Sequence, residues 1–186
     1  MDGQPRVIPL AKVPPAPTGW GRPGWHVALW RLAEWAVVSN TLQPSSALRA
    51  AVLRRFGARI GTGVVIRPRV RVRFPWNLEV GDDCWIGEGV WISNRERVLL
   101  EHDVVLSQET FVTTGSHDAR RDMKVVARPV VVRAGAWVTT RCIVLGGVEI
   151  GTSAVVTPGT VVRSDVPAGM VVGQPEPQVL RARFPD

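Results

Sequence analysis

Residues 132–162 read VRAGAWVTTRCIVLGGVEIGTSAVVTPGTVV. Val132, Val138, Val144, Ile150, Val156 and Val162 fall at every sixth position without an insertion. A helix repeats about every 3.6 residues and a plain strand every two, so neither explains this spacing. A short strand followed by a tight turn explains it, if that unit is repeated and three units close a triangular coil. One aliphatic side chain per side then points inward, and coils stack at the separation of paired strands, about 4.8 Å. Internal repetition of this kind marks a solenoid, whose open ends need caps.

The same period extends toward the N-terminus through Leu100, Leu106 and Val112, then Val80, Ile86 and Ile92, and starts with Ile60, Ile66 and Val72. The fourth residue after each aliphatic is often small or β-branched, as at Val70, Cys84, Val104, Thr110, Ala136, Cys142 and Ala154. The predicted fold class is all-β, a parallel β-helix of about five hexapeptide coils over residues 58–168. Two short insertions interrupt the period, around residues 75–77 and 96–98. A long one, DARRDMKVVARPVV, covers 118–131 and begins just after His117. A long excursion from a rigid solenoid is where function is expected.

Outside the repeat, residues 1–24 are rich in Pro and Gly and read as an extended or disordered arm. Residues 25–57 read as a helical cap. Its first helix is predicted over 25–38 (WHVALWRLAEWAVV). Trp20, Trp25, Trp30 and Trp35 are spaced by five, so those within the helix point different ways. This helix either packs on the main domain or touches a membrane surface with its tryptophans. A second helix is predicted over 45–56, N-capped by Ser45 or Ser46 and ended by Gly57. Residues 169–186 form a C-terminal tail.

With 186 residues, 45% hydrophobic and 21% charged, the chain is long enough to bury a core, and wholesale disorder is excluded. It has no apolar run long enough for a spanning helix, and its first residues lack a signal-peptide core. Two cysteines make no disulfide framework, which points to a reducing, cytoplasmic compartment, with a peripheral place at the inner membrane face left open. Cys84 and Cys142 read as inert packing. The net charge is +7, and only Lys12 and Lys124 of the 23 basic residues are lysine. Such a surface attracts phosphates, but no motif supports binding to nucleic acid. Arg67, Arg69, Arg71 and Arg73 form a basic ribbon outside the first coil.

The stretch PSSALRAAVLRRFGARIGTGVVIRPRVRVRFPWNLEVGDDCWIGEGVWISN, the element TGSHD at residues 114–118, and the run from GAW through DVPAG at 165–169 resemble the left-handed β-helix, hexapeptide-repeat acyltransferases. Most similar is the branch of sugar O-acetyltransferases of colanic-acid and exopolysaccharide biosynthesis. The resemblance covers about residues 44–181. It implies a left-handed coil, against the usual right-handed crossover. It also implies a homotrimer with sites in clefts between neighbouring prisms, acetyl-CoA as donor with no metal, and direct transfer without an acyl-enzyme. The acceptor would be a sugar or a lipid-linked or nucleotide-linked glycan.

Acetyl transfer from a thioester to a hydroxyl needs a base, and histidine is suited to that. Of His26, His102 and His117, the first lies in the cap helix and the second in a turn. The resemblance implies that His117 is the general base. Asp118 would orient its imidazole or hold the sugar, or else simply form a turn. Glu88 and Asn94 match acceptor-binding positions, although both also suit turns. Trp85 and Trp91 either stack on a sugar or cover a prism face. Trp137 and Thr140 match the groove for the pantetheine arm, and Gly146 would let the arm approach the backbone. Arg163 and Arg181 are the candidates for the coenzyme's phosphates. There the chain departs from the family, with Arg163-Ser164 before DVP and QPEP at 174–177. Three other readings stay open. They are N-acetylation of an amino sugar, a zinc-dependent carbonic anhydrase on the same prism, which would need three histidine ligands, and a non-catalytic scaffold.

Overall fold

The computed structural model describes residues 7–17, 20–175 and 178. Five full coils stack along one axis and form three parallel faces. The first face stacks Arg59–Ile60, Leu78–Val80, Val98–Leu100, Val130–Val132 and Glu149–Ile150. The second stacks Val65–Ile66, Trp85–Ile86, Val105–Leu106, Trp137–Val138 and Val155–Val156, and the third stacks Arg71–Val72, Trp91–Ser93, Phe111–Thr113, Ile143–Val144 and Val161–Val162. A partial sixth turn lies beyond the five coils expected from the spacing. In it Val166 bridges Ile150, and Val171–Val172 pairs with Val155–Val156.

The inward ladder is the hexapeptide series. Every one of those aliphatics is at most 9% exposed, from Ile60 through Val162. Each contributes about 1.5–3 kcal/mol of burial. The small and β-branched residues between them fill the corners, and Cys84 and Cys142 are buried there as free thiols. Burial pushes the Cys84 thiol up.

Corner geometry explains the period. Three residues after each inward aliphatic, the corners after the first and second faces hold a residue with φ between +56° and +74°. These are Gly63, Asp83, Asp103, Gly135, Ser153 and Gly169 after the first face, and Arg69, Gly89, Glu109, Arg141 and Gly159 after the second. A left-handed residue turns the chain sharply within one step; Gly and Asp adopt it at low cost, whereas Arg69, Glu109, Arg141 and Ser153 are held in it by the stacked coils. After the third face only the fourth coil has a left-handed residue at that position, Gly147 at φ +94°, and all three insertions occur at third-face corners without one.

The N-terminal helices close the open end of the first coil. α1 spans Gly24–Ala33 and runs on as one π-helical turn, Glu34–Val38. α2 spans Ser46–Arg55, and Ser45 caps it by accepting from the Leu48 N–H at 3.1 Å. The first coil's edge strands would otherwise expose unpaired backbone groups. Cap side chains satisfy them one by one. The Arg54 Nε donates to the Ile60 carbonyl at 2.9 Å, and Ser46 Oγ accepts from the Ile66 N–H at 2.8 Å. Glu34 Oε1 accepts from the Val72 N–H at 2.6 Å, and the Trp30 indole donates to the Val72 carbonyl at 2.9 Å. Arg49 is 1% exposed and donates to the carbonyls of Val38, Asn40, Gln43 and Ile66, tying the end of the π turn to the first coil. Burial holds its guanidinium below the ordinary arginine value. Among the described residues no helix is long and apolar enough to cross a membrane.

The stacked ladder gives a direct expectation. Leu106→Ala, at the middle of the second face, should lower unfolding stability by about 2–5 kcal/mol. Thr152→Ala, at an exposed corner, should change it by less than about 0.5 kcal/mol. Denaturant midpoints of the two variants check this.

Candidate active site

The third face of the third coil ends at Thr113, and Thr114 is buried beside it with its Oγ1 accepting from the Glu96 N–H at 2.9 Å. There the chain leaves the prism. Gly115–His117 pairs antiparallel with Val125–Ala127, so that Gly115 faces Ala127 and His117 faces Val125. The Arg128 N–H donates to the Thr114 carbonyl at 2.9 Å and returns the chain to the coil. The long insertion is therefore a β-hairpin standing off one prism edge. His117 lies at the end of its outgoing strand.

The hairpin tip sets the imidazole. The Met123 carbonyl is 2.8 Å from His117 Nδ1. A carbonyl can only accept, so Nδ1 carries the proton, and in the neutral ring Nε2 is a free acceptor. Asp118 builds the tip. Its Oδ1 accepts from the Arg120 and Arg121 N–H groups, both at 3.2 Å, and its backbone exchanges bonds with Met123 and Lys124. Asp118 thus positions Met123, and Met123 orients the imidazole. No side-chain pattern in the sequence marks a backbone carbonyl for this role.

Gly146 and Gly147 lie on the next coil at the same edge. A Cβ on Gly146 would stand 2.5 Å from the Thr114 carbonyl oxygen and 3.1 Å from that of Arg128. The space beside this glycine is filled by the hairpin's own base. Arg163 is exposed one coil further along the same edge. Asn94 is also at this edge but wholly buried, at 0% exposure. Its carboxamide makes a reciprocal pair with the Phe74 backbone, accepting from the N–H at 3.0 Å and donating to the carbonyl at 2.7 Å. It has no hydrogen-bonding group left on the surface, and it acts here as a brace between coils.

The remaining positions lie elsewhere on the prism. Trp137 points out from the second face, half-exposed, with its indole donating to Ser107 Oγ at 2.9 Å. Thr140 sits at the corner after that face and donates to the Gln108 carbonyl at 2.9 Å. Glu88 occupies the equivalent corner two coils earlier and pairs with Arg69 at 3.4 Å. In a triangular prism the hairpin edge is opposite the second face, so within one chain Trp137 looks away from His117. Trp85 is exposed on the second face, and Trp91 lies on the third between Arg71 and Phe111. Arg181 lies outside the described residues.

The other histidines stand apart from the hairpin. His26 is nested among the rings of Trp25, Phe56 and Trp76. His102 is exposed at a corner after the first face, 2.8 Å from Asp103 Oδ2, and that hydrogen bond raises its pKa above the ordinary histidine value. Among the described residues no three His, Cys, Asp or Glu side chains gather as a metal site.

No family model matches the chain. The Escherichia coli K12 protein named as a colanic acid biosynthesis acetyltransferase, WcaF, is 37% identical over 136 residues, which cover 73% of this chain and 75% of that protein. A hexapeptide-repeat acetyltransferase of Vibrio cholerae, solved with acetyl coenzyme A, superposes with a TM-score of 0.72 at 22% identity, covering 87% of each chain. A galactoside acetyltransferase solved with coenzyme A superposes with a TM-score of 0.73 at 17% identity, covering 87% of this chain and 86% of that one. The two solved structures share the fold.

The crowding at Gly146 makes the hairpin's seat testable. Gly146→Ala should displace the hairpin base and shift the His117 ring resonances in a carbon–proton spectrum, leaving those of His26 and His102 in place. Unmoved His117 signals would show that the hairpin does not depend on this contact.

Proposed function

The chain belongs to the hexapeptide-repeat acetyltransferases, and on that premise we propose that it moves the acetyl group of acetyl-CoA directly onto a sugar hydroxyl in surface-glycan synthesis. The observation that carries this reading is the state of His117, whose Nδ1 is engaged by the Met123 carbonyl and whose Nε2 is free. Nε2 takes the hydroxyl proton as the oxygen attacks the thioester carbonyl. The tetrahedral intermediate collapses with cleavage of the C–S bond, and the imidazolium returns the proton to the departing thiolate. The products are the acetyl ester and coenzyme A, and no acyl-enzyme forms.

The donor side follows from the prism. Trp137 would flank the pantetheine arm, with Thr140 at the neighbouring corner. Arg163, on the hairpin's own edge, would meet a phosphate, because a guanidinium matches phosphate oxygens in pairs. Arg181 is assigned the same role from its sequence position. Because Trp137 and Thr140 face away from His117 within one chain, the reading requires a second copy. In a homotrimer the hairpin edge of one prism would meet the second face of the next, and each cleft would draw His117 and Arg163 from one chain and Trp137, Thr140 and Glu88 from its neighbour.

A chain-mixing experiment tests both parts. His117→Ala alone should lower turnover about 10²–10⁴-fold with acetyl-CoA affinity retained. Trp137→Ala alone should weaken acetyl-CoA binding. Co-refolding the two variants in equal amounts should restore about a quarter of the wild-type sites, the random chance that one chain supplies His117 and its neighbour Trp137. If mixing restores no activity above the two variants measured separately, the shared cleft is wrong. If His117→Ala turns over normally, the base is wrong.

A further inference from the structure

A cleft of about 570 Å³ opens between the N-terminal arm, α1 and the third face of the first two coils. Four arginines line it, Arg31, Arg71, Arg73 and Arg95, against one carboxylate, that of Glu34. Glu34 accepts from the Val72 N–H, and burial raises its pKa above the usual carboxylate value although the charges of Arg71 and Arg31 pull it down. Among the described residues none of the four guanidiniums has a carboxylate oxygen within 4.0 Å, whereas Arg69, Arg97, Arg133 and Arg141 all do. Burial and the neighbouring charge of Arg73 lower the Arg95 pKa. Four guanidiniums against one carboxylate leave an excess of positive charge in the recess, which favours an anion between them.

The recess also has aromatic walls. The Arg71 guanidinium lies 4.3 Å from the centre of the Trp91 ring, and that of Arg95 lies 5.3 Å from Trp20. Such stacking holds the planar groups with their N–H edges free for oxygen ligands. Trp20 has φ +44°, a left-handed conformation that costs a bulky residue about 1–3 kcal/mol. The indole of Trp76 holds that turn by donating to the Trp20 carbonyl at 2.9 Å. The cleft adjoins the hairpin, because a Cβ on Gly115 would stand 2.8 Å from Arg95 Cδ and Gly115 is two residues from His117. It lies on the first two coils, whereas Trp137, Thr140 and Arg163 lie on the fourth and fifth, across the hairpin.

We infer that this cleft binds the phosphate or diphosphate of the acetyl acceptor, so that the substrate is a phosphate-linked sugar and not a neutral free one. The inference rests on His117 as the base, since it places the anion on the acceptor side of that residue. The phosphate can belong to a nucleoside diphosphate or to a lipid carrier. The outer surface of α1 and its π turn bears on the second source, because Trp25, Leu29, Leu32 and Trp35 are 51–73% exposed there.

Calorimetric titration of the full chain with inorganic pyrophosphate, in saturating coenzyme A to occupy the donor side, tests this. Wild-type protein should bind saturably. The double variant Arg31→Gln/Arg73→Gln should bind roughly tenfold or more weakly, with Arg31→Lys/Arg73→Lys between the two. Its affinity for acetyl-CoA should stay within about twofold, since those phosphates are met elsewhere. Uridine diphosphate binding tighter than pyrophosphate supports the nucleotide source. Co-sedimentation with phosphatidic acid vesicles that pyrophosphate competes away supports the lipid source. Absent pyrophosphate binding, or binding unchanged in the glutamine variant, overturns the inference. So does a glutamine variant that loses acetyl-CoA affinity, because the cleft would then serve the donor. A wild-type protein that binds pyrophosphate but no coenzyme A would instead count against the acetyl-transfer reading, so the two failures are distinct.

Discussion

Stacking in register is the constraint on which this structure depends. An inward side chain is dry only when another lies directly above or below it, so each coil must return to its starting point within a fixed number of residues. Left-handed residues at two of the three corners enforce that count, from Gly63 and Arg69 at the first coil to Ser153 and Gly159 at the fifth. The extra residues leave the prism at the third corner, where the first three coils have no left-handed residue at the matching position. Residues 75–77 do so as a short turn, and residues 115–127 do so as the hairpin that carries His117. The position of the candidate base is thus a consequence of where the coil tolerates an excursion.

Stacking also leaves an open edge, and the cap supplies what a missing coil would have. Arg54, Ser46, Glu34 and Trp30 stand in for the backbone partners that Ile60, Ile66 and Val72 lack. These bonds were not legible in the sequence, because nothing in a run such as SSALRAAVLRRF tells which carbonyls are left open. The ladder was legible, since its period involves only the chain's own spacing. The two helices and the Ser45 cap were legible for the same reason. The Trp series was legible only as a count. Trp30 is buried, Trp25 and Trp35 are exposed, and Trp20 walls the arginine cleft.

At the site, local pattern and three-dimensional role part company. His117 stood out by its place before the long insertion, and the hairpin gives it a free Nε2. Asn94 and Gly146 stood out by matching positions, and the fold also gives each a mechanical part, one bracing Phe74 and the other seating the hairpin. A carboxamide imitates a peptide group, so the chemistry that suits a sugar also suits an unpaired backbone. The arginine cleft was half legible. The RVR alternation announced a basic ribbon, but Arg69 turned to Glu88, while Arg71 and Arg73 joined Arg31 and Arg95 from distant parts of the chain.

Charge and edge geometry together give the prism a direction, with arginines and aromatic walls before the hairpin and the Trp137 side beyond it. The central claim is that this polarity serves acetyl transfer from coenzyme A. Calorimetric titration of the purified, folded protein with acetyl-CoA tests it most directly and needs no knowledge of the acceptor. Saturable binding of about one molecule per chain should be seen, as one shared cleft per subunit requires. Absence of detectable binding by the folded protein would contradict the claim.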